Sequence, residues 1–252
     1  MKDFSLQGKV WLGENLNGQP GAMNWVNDAA LLQISASSEE EQRRESWSGK
    51  RNISATLSTG SEVSFTLTLN HANAKNLALG LYGTVNTVAS DSVTAEAFPT
   101  GLVADDHVVL DRGNISNLVI EDSAGSPVTL VLDTNYEIAD AVGGVIRILD
   151  PASLTQPFNA DYDHGASTDV TMFTQKAPVR YLIMTGENTV DGSADKVRVR
   201  LYKLKFNPVN TLDLINDQFG EIQLTGTAIL DTNNEPSADL GGFGRIELLE
   251  AS

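Results

Sequence analysis

Val197-Arg198-Val199-Arg200-Leu201-Tyr202-Lys203-Leu204-Lys205-Phe206 carries the clearest structural signal in the chain. Through Leu201, apolar and charged residues alternate with period two, which suits a strand with one buried face. The phase then slips by one residue. Tyr202, Leu204 and Phe206 carry the apolar set while Lys203 and Lys205 carry the charge. One extra residue in a strand, a β-bulge, produces such a slip. Pro208 ends the run.

The same grammar recurs on either side. Ser64–Leu69 alternates polar and apolar, and Arg180–Met184 reads as a short, more fully buried strand. Ile222, Leu224, Ala228 and Leu230 alternate around Gly226, which marks a bend. The last strand is expected over Gly244–Leu249. One segment has helical spacing: Ala74, Leu77, Ala78 and Leu81 lie on one face of a helix expected over about 71–83. Asn70 is its candidate N-cap and Gly83 its candidate C-cap. A short second helix is expected near Asn210–Gln218, with Leu212 and Ile215 inward. The fold class is therefore mainly β, with one principal helix.

Residues 114–150 hold three short strand candidates, 117–121, 128–133 and 145–149, separated by turn residues. They suggest an inserted small β-module, or an elaborated edge, on a domain formed by 1–113 and 151–252. Three strands are few for independent stability, so this piece should dock on the main domain.

The chain has 252 residues, 33 acids, 17 bases and no cysteine, for a formal charge of −16. That sign disfavours a duplex-binding protein and a basic membrane-surface binder. Without cysteine there is no disulfide scaffold, thiolate metal site or cysteine nucleophile. No apolar run approaches the length of a membrane span, and none follows Lys2 as a signal peptide would require. The expectation is a soluble protein made in the cytosol. No zincin, nucleophile-elbow or phosphate-loop motif occurs. His71, His107 and His164 are far apart in sequence. Asp161-Tyr162-Asp163-His164 and Asp231-Thr232-Asn233-Asn234-Glu235 could hold a hard cation, but neither follows an EF-hand pattern, and Asp and Asn in loops usually serve turns. Gly241-Gly242-Phe243-Gly244 precedes a strand and reads as a flexible turn. No catalytic, cofactor or metal residue is assigned. A dispersed carboxylate pair of the glycosidase kind leaves no spacing signal, and aromatic residues are few, at 6%.

The one dense mixed-charge cluster is Glu39-Glu40-Glu41-Gln42-Arg43-Arg44-Glu45-Ser46-Trp47-Ser48-Gly49-Lys50-Arg51. It reads either as a solvated hairpin or as an interface arm, with ion pairs between subunits around an aromatic anchor.

An ordered set of phrases spans nearly the whole chain. Gly8-Lys9-Val10-Trp11-Leu12-Gly13 is followed by Gly21-Ala22-Met23-Asn24-Trp25-Val26-Asn27 and by Glu45–Arg51. Asn76–Gly83, Gly186-Glu187-Asn188, Val197–Pro208, Phe219–Gly226 and Gly242-Phe243-Gly244 follow in order. In this order the sequence resembles the major tail tube proteins of long-tailed bacteriophages with flexible, non-contractile tails. The resemblance implies a β-sandwich or barrel-like tail tube fold with one helix. Such subunits form hexameric rings that stack head to tail into a hollow tube conducting the genome from capsid to host. It also implies a hairpin from the first third reaching the adjacent ring. The implied partners are further copies of the chain and the tape measure, tail terminator and tail tip proteins, with transient passage of double-stranded DNA. The implied location is the virion tail, assembled in the host cytoplasm.

Glu39, Glu41, Arg43, Arg44, Trp47, Lys50 and Arg51 are then the expected intersubunit and inter-ring residues. Six copies would carry about −96 per ring, and a lumen of that sign would repel phosphate. Asp217, Glu221 and Glu247 are the expected lumen-facing acids. Two competing readings are a monomeric β-sandwich binding module, carbohydrate-recognising or adhesin-like, and a hydrolase. Within phage proteins the rival is a tube-like protein of the tail tip.

Overall fold

The computed structural model describes residues 3–190 and 195–249. The chain divides into two compact units, Met1–Val85 with Val170–Ser252, and Asn86–Asp169.

The first unit contains β1 (Leu6–Leu16), β2 (Gln19–Trp25), β3 (Ala29–Arg44), β4 (Ile53–Leu69) and α1 (Ala74–Leu81). The second carries β5 (Val85–Val88), β6 (Asp91–Ala97), β7 (His107–Val109), β8 (Ile115–Glu121), β9 (Tyr136–Asp140), β10 (Val145–Ile148), β11 (Asn159–His164) and β12 (Ser167–Val170). The chain then completes the first unit with β13 (Val179–Asn188), β14 (Lys196–Phe206), β15 (Ile222–Ala228) and β16 (Gly244–Leu249).

In the first unit the strands run in the order β2-β1-β13-β14-β15-β4-β3, all antiparallel, with β16 on β14. The bulge expected in β14 is present. Arg180 of β13 pairs with Leu204, whereas Leu182 pairs with Leu201. It falls where β14 changes partner, from β16 along Lys196–Leu201 to β15 along Leu204–Phe206. A bulge sharpens strand twist, which lets one sheet fold over its own core in sandwich fashion. Leu182, Leu204, Phe206, Leu224, Leu67 and Leu69 are fully buried in that core, joined by Leu79 of the helix. Phe65 and Phe206 meet edge to face, with centroids 4.9 Å apart. Gly226 is not a bend. It lies in a straight stretch between Phe206 and Phe65, where a Cβ would stand 2.1 Å from the Lys205 carbonyl oxygen.

The helix is shorter than the 71–83 span expected from spacing. Asn73 takes the N-cap, its side chain accepting from the Asn76 amide at 2.9 Å, so Asn70 is left outside. Tyr82, not Gly83, takes the left-handed C-cap (φ 52°). Gly83 is needed for another reason: a Cβ there would lie 1.8 Å from the Thr171 carbonyl oxygen. No helix forms at Asn210–Gln218. Asn210, Asp213, Asn216 and Asp217 offer side chains that compete with helical hydrogen bonds. Leu212 packs on the core as expected, but Ile215 is 99% exposed.

The second unit is wider than the 114–150 module. β8 pairs with β11, and β11 pairs with β6, so boundaries at 113 and 151 would cut through one sheet. A second three-stranded sheet, β7-β10-β9, packs on the same core. Ile120, Ile146, Ile148, Phe158 and Ala160 are fully buried there, with Phe98, Tyr136 and Tyr162 around them. Of the three strand candidates, 117–121 and 145–149 fall on β8 and β10. Residues 128–133 do not form a strand. Asp122 accepts from the Val128, Thr155 and Ala124 amides, and the segment is held by two isolated bridges, Glu121–Thr129 and Leu132–Tyr136. β5 and β12 pair where the chain enters and leaves this unit.

Candidate assembly surfaces

The β3–β4 hairpin is paired from Ala29–Leu69 out to Arg44–Ile53, but β15 accompanies β4 only along Val63–Leu69. Beyond that point Ser35–Arg44 and Ile53–Glu62 are exposed on both faces. Ten residues per strand make a free ribbon of about 33 Å. Its composition explains both its existence and its exposure. Serines, threonines and glutamates tolerate extended backbone, yet there is no apolar face to fold back onto a core. A two-stranded ribbon of this kind is marginal on its own in water.

At the tip, Glu45 is buried and organises the turn. Its carboxylate accepts from the Trp47 and Ser48 amides, both at 2.9 Å, from the Asn52 amide at 3.4 Å, and from the Ser48 hydroxyl. These bonds, the Ser48 hydroxyl foremost, hold its acid form well below the usual carboxylate range, at about 2. With the turn so fixed, Trp47 stands 81% exposed. Because β3 alternates without an inserted residue here, Glu39, Glu41 and Arg43 share one ribbon face. Glu62 and Leu57 of β4 lie on that face too, and Arg44 lies on the other. Lys50 and Arg51 lie in the tip turn. Among the described residues, none of Glu39, Glu41, Arg43, Lys50 and Arg51 forms an ion pair within the chain, and Arg44 donates only to the Arg51 carbonyl.

The expected lumen acids separate. Asp217 and Glu221 are exposed, in and just after the irregular 207–220 segment, beside Leu214, Ile215 and Phe219, each more than 80% exposed. Glu247 is not an open acid. It lies on β16 between Arg198, Arg200 and Arg245. Arg198 donates to one carboxylate oxygen. Arg245 Nε lies 2.7 Å and Arg200 Nε 3.6 Å from the other. The Arg198 hydrogen bond is the main cause that holds the Glu247 acid below its ordinary range. Antiparallel register does this: Arg198 pairs with Glu247, and Arg200 with Arg245, so all four side chains share one face. One carboxylate among three guanidinium groups leaves a local charge of +2. The Val-Arg-Val-Arg alternation signals two arginines on one face, but nothing in the sequence brings Arg245 beside them.

The histidines and the acidic loop segments can be placed among the described residues. His71, His107 and His164 lie on a loop, on β7 and on β11, and among the described residues no three metal-capable side chains cluster. Asp231 accepts from Asn15 Nδ2 and the Asn233 amide, so the 231–235 segment is a turn. A groove of about 1200 Å³ beside α1 is lined by Asn24, Trp25, Lys75, Tyr82 and Arg180, and its lining includes neither carboxylate nor imidazole.

The family model described as "Protein of unknown function UCP028589" matches residues 3–247. The chain belongs to this family. A comparison with curated proteins finds no match. Family membership covers both units, so the 86–169 unit lies within the matched span. That unit also holds most of the charge. It has 14 acids against Arg112 and Arg147, a formal −12, which leaves −4 for the rest of the chain. Both arginines are ion-paired, Arg112 with Asp111 and Arg147 with Asp105 and Glu137.

Proposed function

We propose that this chain is a structural, self-assembling protein of the phage tail tube kind and not an enzyme. The observation that supports this most is the free β3–β4 ribbon. A hydrogen-bonded ribbon about 33 Å long, with a preformed tip that displays a tryptophan, has no use for folding its own chain. Its natural complement is a neighbouring copy. In this reading, rings of six close by heterologous contacts, and the ribbon reaches axially to the next ring. Tape measure, terminator and tip proteins bound the tube, which is assembled in the host cytoplasm and lies in the virion tail.

The division of charge changes how such a tube would treat DNA. The first unit alone carries −4, so six copies of it bring about −24 of the −96 per ring. Phosphate repulsion then rests on exposed acids such as Asp217 and Glu221, while Glu247 contributes nothing.

The test is sedimentation and negative-stain microscopy of the purified full chain over rising concentration, beside a variant in which residues 39–58 are replaced by a two-residue turn. Hollow tubes from the full chain, and only rings or monomers from the variant, are expected. A full chain that sediments as a monomer at every concentration overturns the proposal.

A further inference from the structure

The face of the β1-β13-β14-β16 sheet turned away from the core is basic on a strongly acidic protein. One cross-strand row runs Trp11, Ile183, Arg200, Arg245, and the next runs Lys9, Thr185, Arg198, Glu247. Lys9 Nζ lies 5.4 Å from the centre of the Trp25 ring at one end. At the other end three guanidinium groups share one carboxylate. Arg200 Nε and Arg245 Nε are themselves buried in the cluster, 3.6 and 2.7 Å from one Glu247 oxygen, but the Arg198, Arg200 and Arg245 side chains stay 37%, 21% and 28% exposed. Each guanidinium has five N–H donors and takes carboxylates two bonds at a time, so one carboxylate cannot occupy three of them. The face is short of acceptors.

The acceptors it lacks stand on the free ribbon. Glu39, Glu41 and Glu62 project from one face of it, which Arg43 shares nearer the tip, and all three acids are exposed and without a cation partner among the described residues. Gly60 stands opposite Glu39, which keeps that face open. Glu39 and Glu41 are two residues apart on a strand, as are Arg198 and Arg200, so both pairs repeat at about 7 Å.

We propose that the arginine face of one copy receives the acidic ribbon face of a second copy. Glu39 and Glu41 engage Arg198 and Arg200, and Glu62 flanks them. This deepens the self-assembly reading and rests on it, because it names the surface on which the ribbon lands. A nucleic acid is the weaker occupant. Glu247 already sits among the arginines, and a net +2 holds few phosphates against a chain of −16.

The chain has no cysteine, which makes a crosslinking test clean. The full chain carrying both Glu41→Cys and Arg198→Cys is treated with a short bis-maleimide under assembly conditions. A ladder of covalent trimers, tetramers and longer species is expected, whereas either single variant gives at most dimers. Tubes that form without a ladder overturn this docking and leave the assembly reading intact. A full chain that never polymerises overturns the assembly reading itself. In a second arm, Glu39→Lys, Glu41→Lys and Glu62→Lys together raise the critical concentration roughly tenfold or more, while the monomer melts as before. Adding Arg198→Glu to that chain lowers the critical concentration again. An unchanged critical concentration, or no recovery, refutes the pairing. Duplex DNA binding that is lost in the Arg198→Glu variant assigns this face to phosphate and refutes it as well.

Discussion

Trp47→Ala separates assembly from folding. The indole is 81% exposed at the ribbon tip, and the turn beneath it is held by Glu45, not by the ring. Truncation therefore removes almost nothing from the folded monomer, and urea unfolding should shift by less than about 0.5 kcal/mol. In the tube the same ring is the largest apolar group the tip can bury. A tryptophan with that exposure has about 150–200 Å² to give up, worth up to roughly 4–5 kcal/mol at about 25 cal/mol per Å². Ordering costs reduce this, and anchors at interface centres lose about 2–4 kcal/mol on truncation. At 1.4 kcal/mol per decade, the critical concentration for tube growth should rise from about thirtyfold to several hundredfold. Sedimentation of polymer against total protein reads that concentration directly. An unchanged value would show that Trp47 stays wet in the assembly. A drop of more than about 1 kcal/mol in monomer stability would show instead that the tip is part of the fold.

Reversing both Arg43 and Arg44 to Glu should block tube growth while leaving the monomer's circular dichroism and melting unchanged; normal-length tubes from that variant would remove these residues from the interface. The Glu45 turn should be sensitive to acid. Its folded pKa is depressed, so its contribution is full above about 4.5 and is lost as pH falls through about 2, and the protection of the Trp47 and Ser48 amides, taken against the intrinsic exchange rate at each pH, should be lost across that window. Glu45→Gln should remove the dependence while leaving exchange fast at every pH. Gly226→Ala forces a Cβ against the Lys205 carbonyl and the Phe65 ring, and should destabilise the first unit by about 1–3 kcal/mol or more in urea titration. Deleting 114–150 should yield insoluble protein, because it removes three strands and half of a core. Replacing 86–169 by a flexible linker should leave the first unit folded with a cooperative melt, and a molten product would refute the two-unit division.

Much of the fold is legible because it is local. Alternation in Val197–Phe206 gives a strand and even its bulge, since the side-chain period of a strand is two and one inserted residue must flip the phase. Gly244–Leu249 is read to the residue for the same reason. The errors occur where local signals compete. Asn70 and Asn73 are equally good caps by residue type, but the Asn70 side chain donates to Asp28 and the Asn76 side chain to the Val26 carbonyl, contacts more than forty residues away in sequence. Val128–Asp133 has strand composition, but Asp122 draws the Val128 amide into a turn. Thr155, which also donates to Asp122, and β11, which pairs with β8, are far from it in sequence, so the true extent of the second unit is set by pairings that no local window contains.

The sequence by itself determined a mainly β chain with one helix, a charged segment around Trp47, and the absence of the common catalytic motifs, because periodicity and composition are properties of neighbouring residues. Only the tertiary structure decided three further matters. The charged segment is the end of an unpartnered ribbon. Glu247 is neutralised by arginines from two strands. Most of the net charge belongs to the 86–169 unit. Each depends on which distant residues share a face or a core, and strand pairings such as Arg198 with Glu247, Asn159 with Ala97 and Leu69 with Ile222 settle that.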